Sequence, residues 1–325
     1  ARLADISATD PAAAAEREAA FIEMMDRSPI ALVPHLANEQ HYEVPATFFE
    51  TVLGAHCKYS CCYWPDGVAN LEEAEEAALR ATCERAGIRD GMQVLDLGCG
   101  WGSLSLWIAE RYPACRIMAV SNSGSQRDFI AARAEARGLD NVDVRVCDMN
   151  DFDVDRRFDR VVSVEMFEHM RNWGELLRRI SGWLEPDGAF LLHVFCHRTT
   201  PYEFEDRGPG DWMSRHFFSG GIMPSDGLAR FFQDDLALER HWRWSGQHYA
   251  RTLSAWLRVS PSETVRRLVE DEADRPLKRH PDPIGPVSAM LQDRERLYRQ
   301  ADLMIPGDGH SVEEIAFEIE MVMRL

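Results

Sequence analysis

The chain has 325 residues, 45% of them hydrophobic, with 54 acidic against 36 basic side chains and a formal net charge of -18. That length buries a sizeable core, as one large α/β domain or as a domain with an appendage. The acidity excludes a protein built to grip nucleic-acid phosphates, disfavours docking on an anionic membrane by charge, and suits an uncharged or cationic small substrate.

The elements follow in chain order. Pro11–Arg27 (PAAAAEREAAFIEMMDR) is rich in helix formers, as is Asn70 to Gly87 (NLEEAEEAALRATCERAG), where Asn70 can cap and Gly87 can terminate. A polar, aromatic-rich connection containing KYSCCYWPDG lies between them. From residue 92 the pattern alternates: strand 93–97, helix 101–112, strand 115–120, helix 124–137, strand 142–147, strand 159–164, helix 173–184, strand 187–195. Short apolar strands separated by amphipathic helices predict an α/β, doubly wound, Rossmann-like parallel sheet covered on both faces. Residues 201–225 mix Pro, Gly and aromatics without a period and are expected to form a lid or substrate-facing insertion.

LALERHWRWSGQHYARTLSAWL then reads as a strand running into a helix, and the tail over 258–325 as a helical PSETVRRLVEDEA, a basic turn RPLKRHPDP and a final helix capped by Ser311 with Glu314 as its third residue. The eight cysteines stand at 57, 61, 62, 83, 99, 115, 147 and 196 with no repeated CxxC, so free thiols and no metal site are expected. All of them precede residue 200 and all nine tryptophans lie at or before Trp256, which sets the tail apart. No apolar run reaches the roughly 18 residues of a membrane span, and the N-terminus lacks the order of a secretion signal, so a cytoplasmic protein is expected.

VLDLGCGWGSLSLWIAERY, Val94 to Tyr112, carries the first chemical signal. A dinucleotide fingerprint needs G-x-G-x-x-G and, about 20 residues on, an acid for the ribose diol. Here Asp96, Gly98, Gly100 and Gly102 give D-x-G-x-G-x-G, and the second strand is followed by Ser121, Asn122 and Gln126 with no carboxylate. Asp148 and Met149 follow the third strand, where an acid can accept from an adenine amino group and a thioether can lie on its ring. Glu165, Glu168 and His169 follow the fourth strand, at the edge where open α/β sheets bind ligands. Asp148 also reads as a helix cap or solvated turn residue.

The glycine pattern resembles motif I of the class I S-adenosylmethionine-dependent methyltransferases. With YSCCYW, VLDLGCGWG, VSNSGSQ, VEMFEHM, FSGGIMPS and HYARTLSAW in order, residues from about 35 to 256 resemble the cyclopropane fatty acid synthase superfamily. Within it, the compact EHMRNW is more similar to the branch that includes the plant coclaurine N-methyltransferases than to the lipid cyclopropane synthases. The resemblance implies S-adenosyl-L-methionine as cofactor, Tyr59 and Ser60 closing over it, Ser121, Asn122 and Gln126 around its ribose, and Glu168 and His169 facing the acceptor.

For an amine acceptor, Glu168 would bind the ammonium while His169 receives its proton. The alternative is methylene or methyl transfer to unsaturated acyl chains, with a bicarbonate ion as base, and the positions matching its cage are Cys61, Glu168, His193 and Tyr249. Cys61 reads equally as a small buried hydrophobe and Tyr249 as a core closure. Trp212, Phe217, Phe218 and Phe231 are candidates for an apolar or cation-binding wall, or for core. A third reading is a catalytically silent cofactor-binding protein. Expected partners are a small-molecule substrate and a second copy of the chain as a homodimer, with no nucleic acid and, unless the acceptor is a lipid, no membrane.

The parts are then an N-terminal helical, cofactor-covering extension over 1–90, a cofactor-binding core over 91–256, and an atypical segment over 257–325. That segment resembles the C-terminal part of shikimate kinases, in which Arg275 and either Arg294 or Arg296 match arginines near the nucleotide and shikimate. No G-x-x-x-x-G-K-[ST] occurs, so kinase activity is not expected; the junction near 256–261 reads as a chimera, a frameshifted or fused gene, or a chance similarity.

Overall fold

The computed structural model describes residues 10–33, 46–208, 211, 214 and 217–257; the tail over 258–325, with its expected helices and arginines, lies outside them. Two compact units emerge, one drawing on 10–33, 79–207, 214 and 217–242, the other on 46–78, 208, 211 and 243–257.

The first unit is built on a five-stranded parallel sheet in the order β3-β2-β1-β4-β5, with β1 at Gln93–Leu97, β2 at Arg116–Ser121, β3 at Val142–Val146, β4 at Phe158–Val164 and β5 at Leu184–His193. Alternating side chains sort its core into two layers. Leu95 and Leu97 of β1, Met118 and Val120 of β2 and Val161 of β4 join Met25, Leu176 and Ile180, from helices α1 (Pro11–Arg27) and α6 (Trp173–Trp183). Val94, Ile117 and Val162 point the other way, to Leu79 and Cys83 of α3 (Leu71–Ala86) and Leu104 and Ile108 of α4 (Ser103–Arg111). Helix α5 (Gly124–Ala136) adds Ile130 and Ala134 against Ala119. Both faces are covered, so ligands reach the sheet at its carboxyl rim. The β1/β4 boundary, where chain order reverses, is the place for that rim to open.

Local chemistry sets the helix starts. Asp10 accepts from the amides of Ala12 and Ala13, with Pro11 at the first helical position. Asn70 accepts from Glu73 N (2.9 Å), the cap its sequence predicts, while Glu73 takes Ala69 N (2.8 Å). Asn172 caps α6 and also donates to the carbonyls of Asp26 and Ser28, tying the end of α1 to the start of α6.

Element boundaries follow the alternating pattern within a few residues, with two corrections. The expected strand at the start of LALERHWRWSGQH does not form; only its helix does, as α7 (Gly246–Leu257). That stretch is mostly exposed, and a strand with no neighbour to pair with and no face to bury leaves its backbone to water. Within 201–225, two short antiparallel strands pair, β6 (Tyr202–Glu203) with β7 (Ile222–Met223), so the insertion has a sheet of its own.

In the second unit, α2 (Ala46–Val52), the segment after it and α7 gather around two polar nodes. Thr252 Oγ1 accepts from Cys62 N (3.1 Å) and Trp64 Nε1 (2.9 Å), and Trp64 N donates to His248 Nδ1 (3.1 Å). Glu75, fully buried, accepts from the amides of Gly54 (2.9 Å), His56 (2.9 Å) and Lys58 (3.1 Å). Three hydrogen bonds favour its charged form, yet burial outweighs them and raises its pKa to about 7.

Glu75→Ala is expected to lower unfolding stability by about 2 kcal/mol, because it orphans the buried amide of Lys58 and the part-buried amides of Gly54 and His56. Because the folded-state pKa lies above the ordinary one, the ionised carboxyl opposes folding. Glu75's contribution therefore becomes less favourable as pH rises from about 4.5 through about 7. Denaturant titrations at several pH values should show that slope in the parent chain and a flatter one in Glu75→Gln.

Candidate active site

The floor of the site is the turn from β1 into α4. The amides of Gly98 and Cys99 both donate to Val120 O (3.0 and 2.9 Å), which draws the turn down onto β2. A Cβ added at Gly98 would sit 2.5 Å from Met166 Cγ, and one at Gly102 would sit 2.6 Å from Ile130 Cγ1, so these two glycines serve close packing. Gly100 differs: its φ is +53° and nothing lies within 4 Å of where its Cβ would be. It borders a cleft whose open space, mouth and solvent included, is about 680 Å³.

One side of the cleft is polar. Ser121 Oγ donates to Gln126 Oε1 (2.6 Å) and accepts from Ser123 N (3.0 Å), which fixes the glutamine amide. Gln126 is 1% exposed and lines the cleft, and its Nε2 has no hydrogen-bond partner among the described residues. A buried amide donor left unmade costs about 1–3 kcal/mol, so this atom points to a ligand acceptor such as a sugar hydroxyl. Asn122, Asp148 and Met149 line the same side, and Asp148 Oδ1 accepts from Asn150 N (2.8 Å). Asp148 thus makes the local turn its alternative reading expected, and its side chain still borders the cleft.

The other side is built where β4 ends. Glu165 adopts φ +51°, rare outside glycine, and its amide donates to His193 O (2.8 Å) at the end of β5. This sharp exit leads into a single 3-10 turn, Phe167–His169, whose carbonyl at Phe167 accepts from Trp173 Nε1 (3.0 Å). Glu168 is 2% exposed, and its Oε2 has no hydrogen-bond partner among the described residues. Burial first, and the neighbouring Glu165 carboxylate second, push its pKa well above the carboxylate range. His169 lines the cleft, with its ring 5.3 Å from that of Phe218, itself stacked on Phe204 at 5.0 Å. The glycine pair of FSGGIMPS lets the insertion close in: a Cβ at Gly221 would lie 2.8 Å from Glu168 O, and one at Gly220 would lie 2.6 Å from Val33 Cγ2.

The structure therefore gathers Gly98, Gly100, Ser121, Asn122, Gln126, Asp148, Met149 and His169 around one cleft, with Glu168 behind its wall and Glu165 and His193 at adjoining strand ends. Asp96 does not line it: the carboxyl is 2% exposed, receives Ser105 Oγ (2.6 Å) and is raised by burial to about 6. Phe231 is half exposed and forms no wall of the cleft, and Trp212 lies outside the described residues.

In the second unit, Tyr59 packs edge-on to Phe49 and beside Trp256, Ser60 accepts from the buried Lys58 ammonium, Cys61 is buried with its thiol on Cys62 O (3.4 Å), and Tyr249 is half-buried on α7. Ala31, Asn150 and Arg171 also shape the cleft region, and sequence reading passed them over. Asn150 follows the singled-out Asp148 and Met149, but nothing in the chain announces a partner 119 positions away.

Residues 34–275 match the family model of mycolic acid cyclopropane synthetase. The (S)-coclaurine N-methyltransferase of Thalictrum flavum subsp. glaucum is 41% identical over 70% of this chain and 64% of that protein. The chain belongs to the mycolic acid cyclopropane synthetase family, within the class I S-adenosylmethionine-dependent methyltransferases. A second relative, the cyclopropane-fatty-acyl-phospholipid synthase of Escherichia coli (strain K12), is 33% identical over 68% of the chain and 55% of its own length. A crystal structure of a coclaurine N-methyltransferase bound to N-methylheliamine and S-adenosylhomocysteine superposes with TM-score 0.76 at 36% identity, covering 83% of this chain and 77% of that one. The chain spans under two-thirds of the length of these curated relatives. The synthetase-family match runs past Trp256, and residues 238–324 also match the shikimate kinase family model, so the two overlap.

Among the described residues no helix is long and apolar enough to cross a membrane, and no group of His, Cys, Asp and Glu could hold a metal ion.

The glycine geometry separates two effects. Gly102→Ala and Gly98→Ala are expected to lower stability by roughly 2 kcal/mol or more through overpacking and positive φ. Gly100→Ala should cost only about 1 kcal/mol for its left-handed backbone yet abolish binding at the cleft. Thermal melts paired with calorimetric titration of S-adenosylhomocysteine measure both.

Proposed function

We propose that this protein is an S-adenosylmethionine-dependent methyltransferase acting on a small-molecule amine. One observation carries the reading: a buried carboxyl, Glu168, keeps an unpartnered oxygen and is next in sequence to His169, which lines the same cleft as the unpartnered amide donor of Gln126. An adenosyl group fits the polar side. Gln126, Ser121 and Asn122 are suited to the ribose, Asp148 to the adenine amino group, Met149 to the ring face, and Gly100 leaves the floor open.

S-adenosylmethionine, when bound, supplies a methyl group already activated on a sulfonium. What remains for the chain is to orient the acceptor, exclude water and manage one proton. His169, on the cleft wall, receives the proton of the incoming ammonium. Glu168, buried beside Glu165, holds the cation: pairing a buried carboxyl with a charged amine satisfies its free oxygen and offsets its desolvation. Phe218 and the His169 ring offer π-faces to the same cation.

The alternative acceptor, an olefin in an acyl chain, calls for bicarbonate near Glu168 and His193. Their strand ends do adjoin. However, the Glu165 carboxylate already raises the pKa of Glu168, and a field that disfavours a second negative charge disfavours an anion and favours a cation.

Transfer of labelled methyl to a panel of amines, set against phospholipid vesicles with and without added bicarbonate, tests the choice; label in the lipid phase alone would overturn the amine reading. Glu168→Gln is expected to keep S-adenosylhomocysteine affinity and lose about 100-fold or more in kcat. Glu165→Gln removes the like charge, lowers the Glu168 pKa and moves the acidic limb of the kcat/KM profile to lower pH; a limb that stays in place would detach Glu168 from that limb.

A further inference from the structure

The N-terminal segment that follows α1 forms part of the cleft wall without belonging to any regular element. Ala31 and Val33 line the cleft opposite the floor glycines, and Ala31 is 4% exposed. On one flank, what holds Ala31 there is one side chain. Ala31 N donates to Asn150 Oδ1 (3.0 Å), and Asn150 Nδ2 donates to Ala31 O (3.0 Å), so the amide pairs with this residue as a neighbouring strand would. On its other flank Ala31 makes an isolated antiparallel bridge with Met170, and Arg171 N donates to Ile30 O (2.6 Å). Asn150 is itself braced, its amide on Asp148 Oδ1 (2.8 Å) and its carbonyl taking Arg179 Nη1 (2.9 Å).

This arrangement places a strap between the two rims of the cleft, fastened on the β4 side by backbone and on the β3 side by a single primary amide. We propose that Asn150 is a positioning residue that latches the Ile30–Val33 strap over the nucleoside end of the cleft and so sets how fast cofactor and product nucleoside leave. The proposal rests on the cofactor reading above. Asn150 follows directly on Asp148 and Met149, the residues that reading gives to the adenine, so a ligand seated there orders the loop that carries the latch. The latch uses the side chain alone, while the brace on Asp148 uses the backbone amide. Substitution at Asn150 therefore opens the strap without removing the nucleoside contacts.

Asn150→Asp is the informative variant: it preserves size and the acceptor for Ala31 N but turns a carboxylate oxygen toward Ala31 O in place of a donor. Stopped-flow displacement of S-adenosylhomocysteine from the full chain should show dissociation about tenfold faster, equivalent to about 1.4 kcal/mol, with association changed much less. Hydrogen exchange in the peptide containing Ala31 should lose its protection in the variant, and in the parent chain should gain protection when the nucleoside is added. Ala31→Pro, which removes the donor from the other partner, should reproduce the faster release. A parent chain that binds S-adenosylhomocysteine while both variants release it at the parental rate would overturn the latch alone. A parent chain that is folded and binds no S-adenosylhomocysteine would overturn the cofactor reading and the latch with it.

Discussion

Everything at the site depends on how closely the β1–α4 turn can approach its neighbours. Two of its glycines exist because Met166 and Ile130 occupy the volume a Cβ would need, and Val120 O receives two consecutive amides from the turn. That packing fixes Gly100 with open space above it and brings Met166 against the floor, so the floor and the start of the acceptor rim are positioned by the same contacts. A ligand over Gly100 meets a surface that needs little reorganisation, which is the condition under which a few hydrogen bonds give useful affinity.

Much of this was legible in the chain. Alternation of short apolar runs with amphipathic helices gives the sheet because a parallel strand buried on both faces has no other pattern. Motif spacing gives the rim because the residues after each parallel strand lie at one edge. The failures have physical causes too. The stretch before α7 has the composition of a strand, but a strand exists only with a partner, and no local signal supplies one. Asp96 belongs to the motif by spacing, and spacing does not announce that its carboxyl accepts from Ser105 in the first turn of α4. Ala31 and Asn150 meet across 119 positions through a geometry that composition does not encode.

The β4 exit shows how backbone strain positions chemistry. A non-glycine residue in the left-handed region costs on the order of 1 kcal/mol, and here the amide of Glu165 is secured to His193 O in that conformation. Through the sharp exit the 3-10 turn begins at once, with Glu168 buried and His169 lining the cleft. A regular continuation of the strand would have alternated these side chains across the sheet. The Trp173 indole, donating to Phe167 O and Met170 O, closes the turn from behind.

Charge acts at two ranges, and their magnitudes separate their roles. The net charge of -18 creates a field that attracts cations, but at physiological salt it decays over about 8 Å and affects encounter more than residence. Inside the protein that screening is weak: burial first, and the Glu165 carboxylate second, raise the pKa of Glu168. An amine acceptor relieves both costs at once, pairing the buried carboxyl and cancelling the repulsion from its neighbour. A neutral olefin relieves neither, and an anion adds to the second. On the amine reading proposed above, the local pair would discriminate among acceptors, whereas the global charge would steer any cation toward the protein.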